Sequence, residues 1–182
     1  MKKIISLFQR NYDGDHLVRD EVVPGAEWVL AGEGIATRKW DGTACLVRDG
    51  KLYKRYDAKQ GRQPPPGFEP AQDADPITGH WPGWVPVGDG PNDQWHRQAW
   101  ANHVNVADGT YELVGPKISS NREQQEYHRL IRHGADELPD APRTFDALRD
   151  YLKDAGIEGI VWHHPDGRMV KIKRRDFFRD RQ

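Results

Sequence analysis

The sequence has little cysteine, no long apolar run and almost no net charge. Its one cysteine, Cys45, cannot form an internal disulfide bond. So low a cysteine content is typical of a reducing compartment, and we expect a cytoplasmic protein. The basic and apolar start, residues 1–8, is too short for a signal peptide, and no window of the sequence is apolar enough for a membrane span. We therefore expect no membrane partner.

The charge balance excludes a broadly basic surface. The chain carries 27 Lys and Arg against 28 Asp and Glu, a formal net charge of −1. A nucleic-acid partner would therefore need a local basic patch. The length of 182 residues is enough for a core and predicts one domain over residues 1–182.

Asp-Gly turns divide much of the chain into short strands. The pair Asp49-Gly50 predicts a type I′ hairpin, because this turn needs positive φ angles that Asp and Gly tolerate. Two further turns of this kind, Asp108-Gly109 and Pro165-Asp166-Gly167, precede or separate other strand-like runs. Strands are predicted at residues 4–8, 27–30, 43–48, 51–56, 110–115, 158–164 and 168–173.

Helices are predicted at residues 94–103, at residues 121–133 and from the Thr144 cap to Gly156. Residues 57–93 are rich in Pro, Gly and Trp and predict a long irregular insertion. Its Trp81 and Trp84 either anchor this loop or contact a substrate. Hairpins with interposed helices indicate an α+β fold that is mostly antiparallel.

Charged side chains interrupt several predicted strands. They are Lys39, Glu112, Glu158, Lys171 and Lys173. Each alone fits the exposed face of a half-buried sheet. Lys171 and Lys173 are two residues apart, so on a strand they share a face. Cys45 is predicted to be a small core residue, and the histidines lack the spacing of a zinc site.

Taken together and in order, these residues resemble the motif series of the covalent nucleotidyltransferases. Lys39-Trp40-Asp41-Gly42 resembles the nucleophile motif. The later motifs are matched by Lys54-Arg55, by residues 111–115, by residues 158–161 and by residues 171–173. In particular the series resembles the ATP-dependent RNA ligases of phage and bacteria, in which Tyr-Glu-Leu-Val-Gly-Pro-Lys precedes a segment ending in His-Gly. Here these are residues 111–117 and His133-Gly134.

The resemblance implies a nucleotidyltransferase fold related to ATP-grasp, with two antiparallel sheets, flanking helices and the nucleotide in the groove between the sheets. It also implies a reaction. A lysine attacks the α-phosphorus of ATP with Mg²⁺ or Mn²⁺ present, and forms lysyl-AMP. The AMP passes to the 5′-phosphate of an RNA end, which is then sealed to a 3′-hydroxyl. The attacking amine must be deprotonated, a form that nearby cations favour.

The resemblance also implies a role for individual residues. Lys39 is the nucleophile, Asp41 orients it, Lys171 and Lys173 contact the α-phosphate, Glu112 holds the ribose hydroxyls, Glu158 engages the metal, Arg55 holds a phosphate, and Arg38 neighbours the base pocket. Carboxylate oxygens are suitable ligands for Mg²⁺.

Other interpretations stay open from the sequence. A capping-type guanylyltransferase would use the same lysine chemistry, and a non-catalytic module for RNA ends could keep the fold. Nine residues follow Lys173, so we expect no appended OB-fold. First-step chemistry would then depend on Arg10 or Arg19, on the 57–93 insertion, or on a protein partner that supplies a missing domain. The basic tail, residues 171–181, either binds RNA or docks Phe177 and Phe178 on the core.

Overall fold

The computed structural model describes residues 1–179 and divides the chain into two compact units. Unit 1 comprises Met1–Lys3 and Asp41–His133, and unit 2 comprises Ile4–Trp40 and the chain from Gly134 onwards. The strands are β1 (Ile5–Ser6), β2 (Phe8–Arg10), β3 (Val18–Val22), β4 (Ile35–Lys39), β5 (Thr43–Arg48), β6 (Lys51–Ala58), β7 (Glu69–Pro70), β8 (Trp81–Pro86), β9 (Gly109–Val114), β10 (Arg129–Arg132), β11 (Gly159–His163) and β12 (Met169–Lys173). The α-helices are α1 (Glu27–Leu30), α2 (Gln94–Ala101), α3 (Phe145–Asp154) and α4 (Arg174–Phe177).

Unit 1 contains a six-stranded antiparallel sheet in the order β10-β9-β5-β6-β8-β7. Its β5–β6 hairpin confirms the turn prediction, since Asp49 and Gly50 have φ angles of 51° and 69°. One face of the sheet is apolar because side chains alternate along each strand. Cys45, Val47 and Leu113 are 0% exposed on this face, where they cluster with Ala99 of α2.

Cys45 is therefore the core residue that the sequence predicts. Burial raises the pKa of its thiol above the ordinary value, and the negative charge of Glu112 adds to this rise. A thiol held in its protonated form behaves as a small apolar side chain.

Unit 2 contains a four-stranded sheet in the order β1-β12-β11-β4 and a separate β2–β3 pair. The β1–β12 pair is parallel, so this sheet is mixed, not antiparallel as the resemblance implies. Trp162, Ile160 and Ile172 of the sheet are 0% exposed, and they pack with Leu148 and Leu152 of α3. The helix buries one face because these leucines are four residues apart.

Three aromatic rings close the core of unit 2. Phe8, Phe145 and Phe177 meet edge to face, with ring centroids 5.1–6.4 Å apart. Phe178 packs against the same cluster. The two phenylalanines of the basic tail therefore dock on the core, which is one of the two alternatives from the sequence. Residues 180 and 181 of that tail lie outside the described part of the chain, and RNA binding by the tail stays a prediction.

The α+β class is confirmed, but several predicted elements were wrong. Residues 121–133 do not form a helix. A short 3₁₀ turn at Ser119–Asn121 leads instead to β10, which pairs with β9. Residues 27–30 form α1 rather than a strand. The predicted strand at residues 4–8 is split between β1 and β2.

The 57–93 segment is more regular than predicted. Strand β6 extends to Ala58, and β8 pairs with β6 along its whole length despite Pro82 and Pro86. Prolines are tolerated there because β7, the other neighbour of β8, covers it over only two residue pairs. Trp84 is 4% exposed and acts as an anchor of the sheet.

Candidate functional site

Three residues form one row across the sheet of unit 2. Gly159 of β11 pairs with Lys39 of β4 on one side and with Lys173 of β12 on the other. Residues directly opposite one another in neighbouring strands point to the same face. The sheet therefore brings the side chains of Lys39 and Lys173 to the same face, one on each side of a glycine.

Gly159 is a residue that the sequence reasoning missed. A Cβ atom at this position would lie 2.2 Å from the carbonyl oxygen of Ile172 and 2.8 Å from Cα of Lys173. Only glycine lets the two backbones approach so closely. A glycine inside a strand pattern is a signal of close backbone approach, so the sequence did carry this information.

The amine of Lys39 lies next to a carboxylate. Lys39 Nζ donates a hydrogen bond to Glu158 Oε2 over 2.6 Å, and the two side chains are 21% and 15% exposed. Such a short contact between charged groups, largely shielded from solvent, is a strong charge-assisted hydrogen bond. The structure therefore brings the predicted nucleophile and the predicted metal ligand together.

Lys171 and Lys173 share a face, as predicted. Both are partly exposed, whereas Val170 before them and Ile172 between them are 0% exposed in the core. Burial lowers the pKa of Lys173, and the positive charges of Arg175 and then Lys39 lower it further. This face of unit 2 thus carries the amines of Lys39, Lys171 and Lys173, whose positive charges would attract an anionic group such as a phosphate.

Arg38 alternates to the opposite face of β4, in the row of Ile160 and Ile172. Its guanidinium lies 3.6 Å from the ring centroid of Trp40, and the Trp40 indole donates to Asp136 over 2.8 Å. The structure therefore places Arg38 in a stacked pair. Its predicted position near a base stays a prediction.

In unit 1, Glu112 and Arg55 share one face of the six-stranded sheet. Glu112 of β9 pairs with Ala44 of β5, so their side chains lie on the same face. Leu46 lies two residues after Ala44 on that face and pairs with Tyr53 of β6. Arg55 is two residues after Tyr53 and therefore lies on this face as well. The guanidinium of Arg55 donates to the carbonyl oxygen of Met1 over 2.7 Å and lies over the Trp84 ring. Burial lowers the pKa of Arg55.

The other half of the basic motif lies on the opposite face. Lys54 pairs with Cys45, whose side chain is in the core, and its amine contacts the buried carboxylate of Asp93. Of the pair Lys54-Arg55, only Arg55 therefore shares a face with Glu112, and we infer a structural role for Lys54.

Glu112 is 9% exposed and hydrogen-bonds to a histidine. His133 Nε2 lies 2.7 Å from Glu112 Oε2. Nearby, Gly42 of the nucleophile motif lets the chain pass close to β9, because a Cβ atom there would lie 2.1 Å from the carbonyl oxygen of Leu113. The glycine of the Asp-Gly pair is thus required by packing within unit 1.

Asp41 also belongs to unit 1, where a strained segment contacts it. Its backbone N–H donates to Glu123 over 2.7 Å, and its carboxylate accepts a hydrogen bond from Arg122 over 3.3 Å. The three residues before Arg122 (Ser119, Ser120 and Asn121) all have positive φ angles of 47–55°. Strain of this kind persists only where surrounding contacts impose it. That Asp41 orients the lysine stays a prediction.

A divalent cation on this face would need carboxylate or other oxygen ligands. No cluster of three or more His, Cys, Asp or Glu side chains suitable for a metal occurs within residues 1–179. Mg²⁺ commonly takes only one or two carboxylates and completes its shell with waters and substrate phosphates. A single carboxylate, Glu158, beside amines that attract phosphate fits this pattern of binding.

The two arginines considered for first-step chemistry are engaged in ion pairs. Arg10 contacts the buried carboxylate of Asp176, and Arg19 pairs with Asp15 at 3.0 Å. Over the described part of the chain, no helix is both long and apolar enough to cross a membrane.

The family model and the curated proteins that match this chain are all named RNA ligase 1. The RNA ligase 1 family model matches residues 102–178, which include Glu112, Glu158, Lys171 and Lys173 and lie downstream of Lys39. These matches support an RNA ligase family. Curated RNA ligase 1 from Pongo abelii is 27% identical over 77% of this chain and 66% of the relative. The mouse protein, from Mus musculus, is 26% identical over 77% and 65%, and that of Danio rerio is 28% identical over 76% and 66%.

The chain spans just under two thirds, 65–66%, of the length of these RNA ligase 1 relatives. The matched part covers β9 to β12, so most of the motif residues of the resemblance fall inside it.

Proposed function

We propose that this chain is an ATP-dependent RNA ligase that works through lysyl-AMP on Lys39. It then transfers AMP to an RNA 5′-phosphate and seals that end to a 3′-hydroxyl. The observation that carries the proposal is the group formed by Lys39, Glu158 and Lys173 in unit 2. Two amines on one sheet face, with a carboxylate 2.6 Å from the first of them, are what adenylyl transfer needs.

In the first step, the Lys39 amine attacks the α-phosphorus of ATP. The new N–P bond forms as the bond to pyrophosphate breaks. The amine must first lose a proton to solvent, and Glu158 Oε2, 2.6 Å away, would keep the amine oriented by accepting a hydrogen bond from it. Lys173, held by the sheet on the same face, would offset the negative charge that develops on the α-phosphate.

Glu158 would hold a Mg²⁺ or Mn²⁺ ion or its waters. When bound, such an ion supplies positive charge to the departing pyrophosphate. The same carboxylate contacts the Lys39 amine at 2.6 Å, so an ion held by Glu158 would lie close to the attacking group.

Glu112, Arg55 and Arg38 keep their proposed roles at the ribose, a phosphate and the base. The support for Glu112 is its burial and its ability to accept hydrogen bonds from hydroxyl groups. Arg55 shares its sheet face. We also propose a nucleotidyltransferase fold, a cytoplasmic location and RNA ends as partners.

A labelling experiment tests this function. The protein is incubated with ATP labelled at the α-phosphate and with Mg²⁺ or Mn²⁺, and is then run on a denaturing gel. We expect label that stays on the protein, is released by acid but not by alkali, and disappears in Lys39→Ala. Lys153→Ala, at an exposed lysine of α3 in the same unit, is the matched control and should label normally.

A second labelling reaction and an RNA ligation assay separate the alternatives. Labelled GTP in place of ATP would label a capping-type enzyme, and we expect no label from it. A 5′-phosphorylated RNA with a nick should be sealed, whereas the same RNA with a 5′-hydroxyl should not. If neither nucleotide labels the wild-type protein with either metal, the proposed reaction is wrong for this chain.

A further inference from the structure

His133, which is not among the predicted site residues, forms a hydrogen bond with the predicted site residue Glu112. The Glu112 and His133 side chains are 11% and 21% exposed, and His133 Nε2 lies 2.7 Å from Glu112 Oε2. The two residues belong to unit 1. Glu112 is in the middle of β9, and His133 follows the last residue of β10.

The sheet dictates this contact. Ile131 pairs with Glu112, and the backbone N–H of His133 donates to the carbonyl oxygen of Thr110 over 3.1 Å, so the ladder continues one step beyond β10. His133 is two residues after Ile131 and therefore points to the same face as Glu112. The imidazole reaches the carboxylate as a diagonal neighbour on one face.

The hydrogen-bond pattern assigns a direction to the contact. An ionised carboxylate can only accept, so the proton lies on Nε2 and the imidazole donates. The other ring nitrogen, Nδ1, is buried and has no hydrogen-bond partner among residues 1–179. The hydrogen bond to Glu112 therefore fixes the orientation of the imidazole, and the same hydrogen bond fixes the position of Glu112 Oε2.

We propose that His133 is a positioning residue that makes Glu112 a selective acceptor for the hydroxyl groups of a ribonucleoside triphosphate. With Oε2 held by His133, the other oxygen keeps one orientation and can accept from a ribose hydroxyl without first ordering the side chain. This inference rests on the proposed function, in which Glu112 holds the ribose. It adds that discrimination between ribo- and deoxyribonucleotides depends on His133.

The experiment compares formation of the labelled protein with ATP and with 2′-deoxy-ATP. Wild type, His133→Ala, His133→Leu and His133→Gln are assayed over a range of nucleotide concentrations. A lost hydrogen bond to a charged group predicts a fall of about 10-fold or more in kcat/KM with ATP. We expect this fall to appear mainly in KM in His133→Ala and His133→Leu, and to be small with 2′-deoxy-ATP.

His133→Gln should restore most of the preference for ATP, because its amide nitrogen can take the place of Nε2. His80→Ala is the matched control. His80 also pairs with a carboxylate in unit 1, that of Asp57 at 3.1 Å, and its loss should leave the preference unchanged. The ratio of kcat/KM with ATP to kcat/KM with 2′-deoxy-ATP is measured on the same preparation of each variant. Partial unfolding lowers both values equally and does not alter this ratio.

The outcomes are distinct. Equal losses with ATP and 2′-deoxy-ATP, or an unchanged preference in His133→Leu, overturn the positioning role and leave the proposed function intact. Absence of label from wild-type protein with ATP overturns both.

Discussion

Lys39 and Glu158 form an ion pair although they are 119 positions apart in the sequence. Substitutions at these two residues should therefore have coupled effects on the free energy of unfolding. We consider three variants, namely Glu158→Leu, Lys39→Met and the double variant. Removing one partner of a buried ion pair costs about 3–5 kcal/mol, because the other charge is left buried and uncompensated. Solvent still reaches 21% and 15% of these side chains. Because water partly solvates the remaining charge, we expect about 2–3 kcal/mol for each single variant.

The double variant should recover most of this loss. Replacing both partners by apolar residues of similar volume removes the desolvation cost together with the attraction, and is often near neutral. We therefore expect the double variant to lose less than about 1 kcal/mol, which corresponds to a coupling free energy of about 3 kcal/mol or more in the cycle.

Urea unfolding followed by circular dichroism measures each free energy of unfolding. The matched control is the exposed pair Asp146–Arg149 on α3 in the same unit, with contact at 2.9 Å and exposed fractions of 76% and 41%. An exposed pair contributes about 0–1 kcal/mol, so the control cycle should show little coupling. Additive losses in the Lys39–Glu158 cycle would show that the short contact does not form in solution, and would remove the main support for the proposed site.

Three further outcomes follow from the geometry. Gly159→Ala would press a Cβ atom against the Ile172 carbonyl oxygen 2.2 Å away, so we expect a loss of about 3 kcal/mol or more in a urea titration; a loss below about 1 kcal/mol would contradict the close approach. Gly50→Ala meets nothing within 4 Å and strains only a φ of 69°, so it should cost about 1 kcal/mol, or about 2–4 °C in Tm by calorimetry; no change would show that the turn is not type I′. Burial lowers the pKa of His128 below 6.5, and Lys117 lowers it further, so the unfolded chain binds the proton more readily. Stability should then fall as pH drops below about 6.5, with a shallower fall in His128→Gln; an equal slope in both proteins would refute this.

Local signals in the sequence were reliable where the structure is local. The β5–β6 hairpin is fixed by Asp49-Gly50, whose positive φ angles are a property of the turn itself. The alternation of Lys171 and Lys173 with buried Val170 and Ile172 likewise follows from the period of a strand.

The failures come from pairing between distant segments. The residues predicted as a helix at 121–133 contain β10, which forms because Leu130 and its neighbours pair with β9. Such tertiary pairing overrides helix propensity and leaves little trace in the local pattern. The irregular prediction for 57–93 was wrong in part for the same reason, since β8 is held by β6, whereas residues 59–68 and 71–80 contain no helix or strand.

The site itself was partly predictable. The sequence shows Lys39, Glu158 and Lys173 as charges within strand-like runs, and the structure brings these three together. Gly159 and His133 were missed as site residues, because their roles depend on which backbone and which carboxylate face them across the sheet.

The pairing of β4 with β11 also determines when the lysine site can exist during synthesis. Lys39 is made early, but its strand pairs with residues 159–163, and its carboxylate partner is residue 158. Contacts of such long sequence separation form late, because the intervening chain must be ordered first. We expect a nascent or truncated chain to lack the assembled amine–carboxylate pair until β11 and β12 have left the ribosome. A chain cut short by premature termination upstream of β11 would thus carry Lys39 without Glu158 and Lys173, the groups that the folded sheet places beside it.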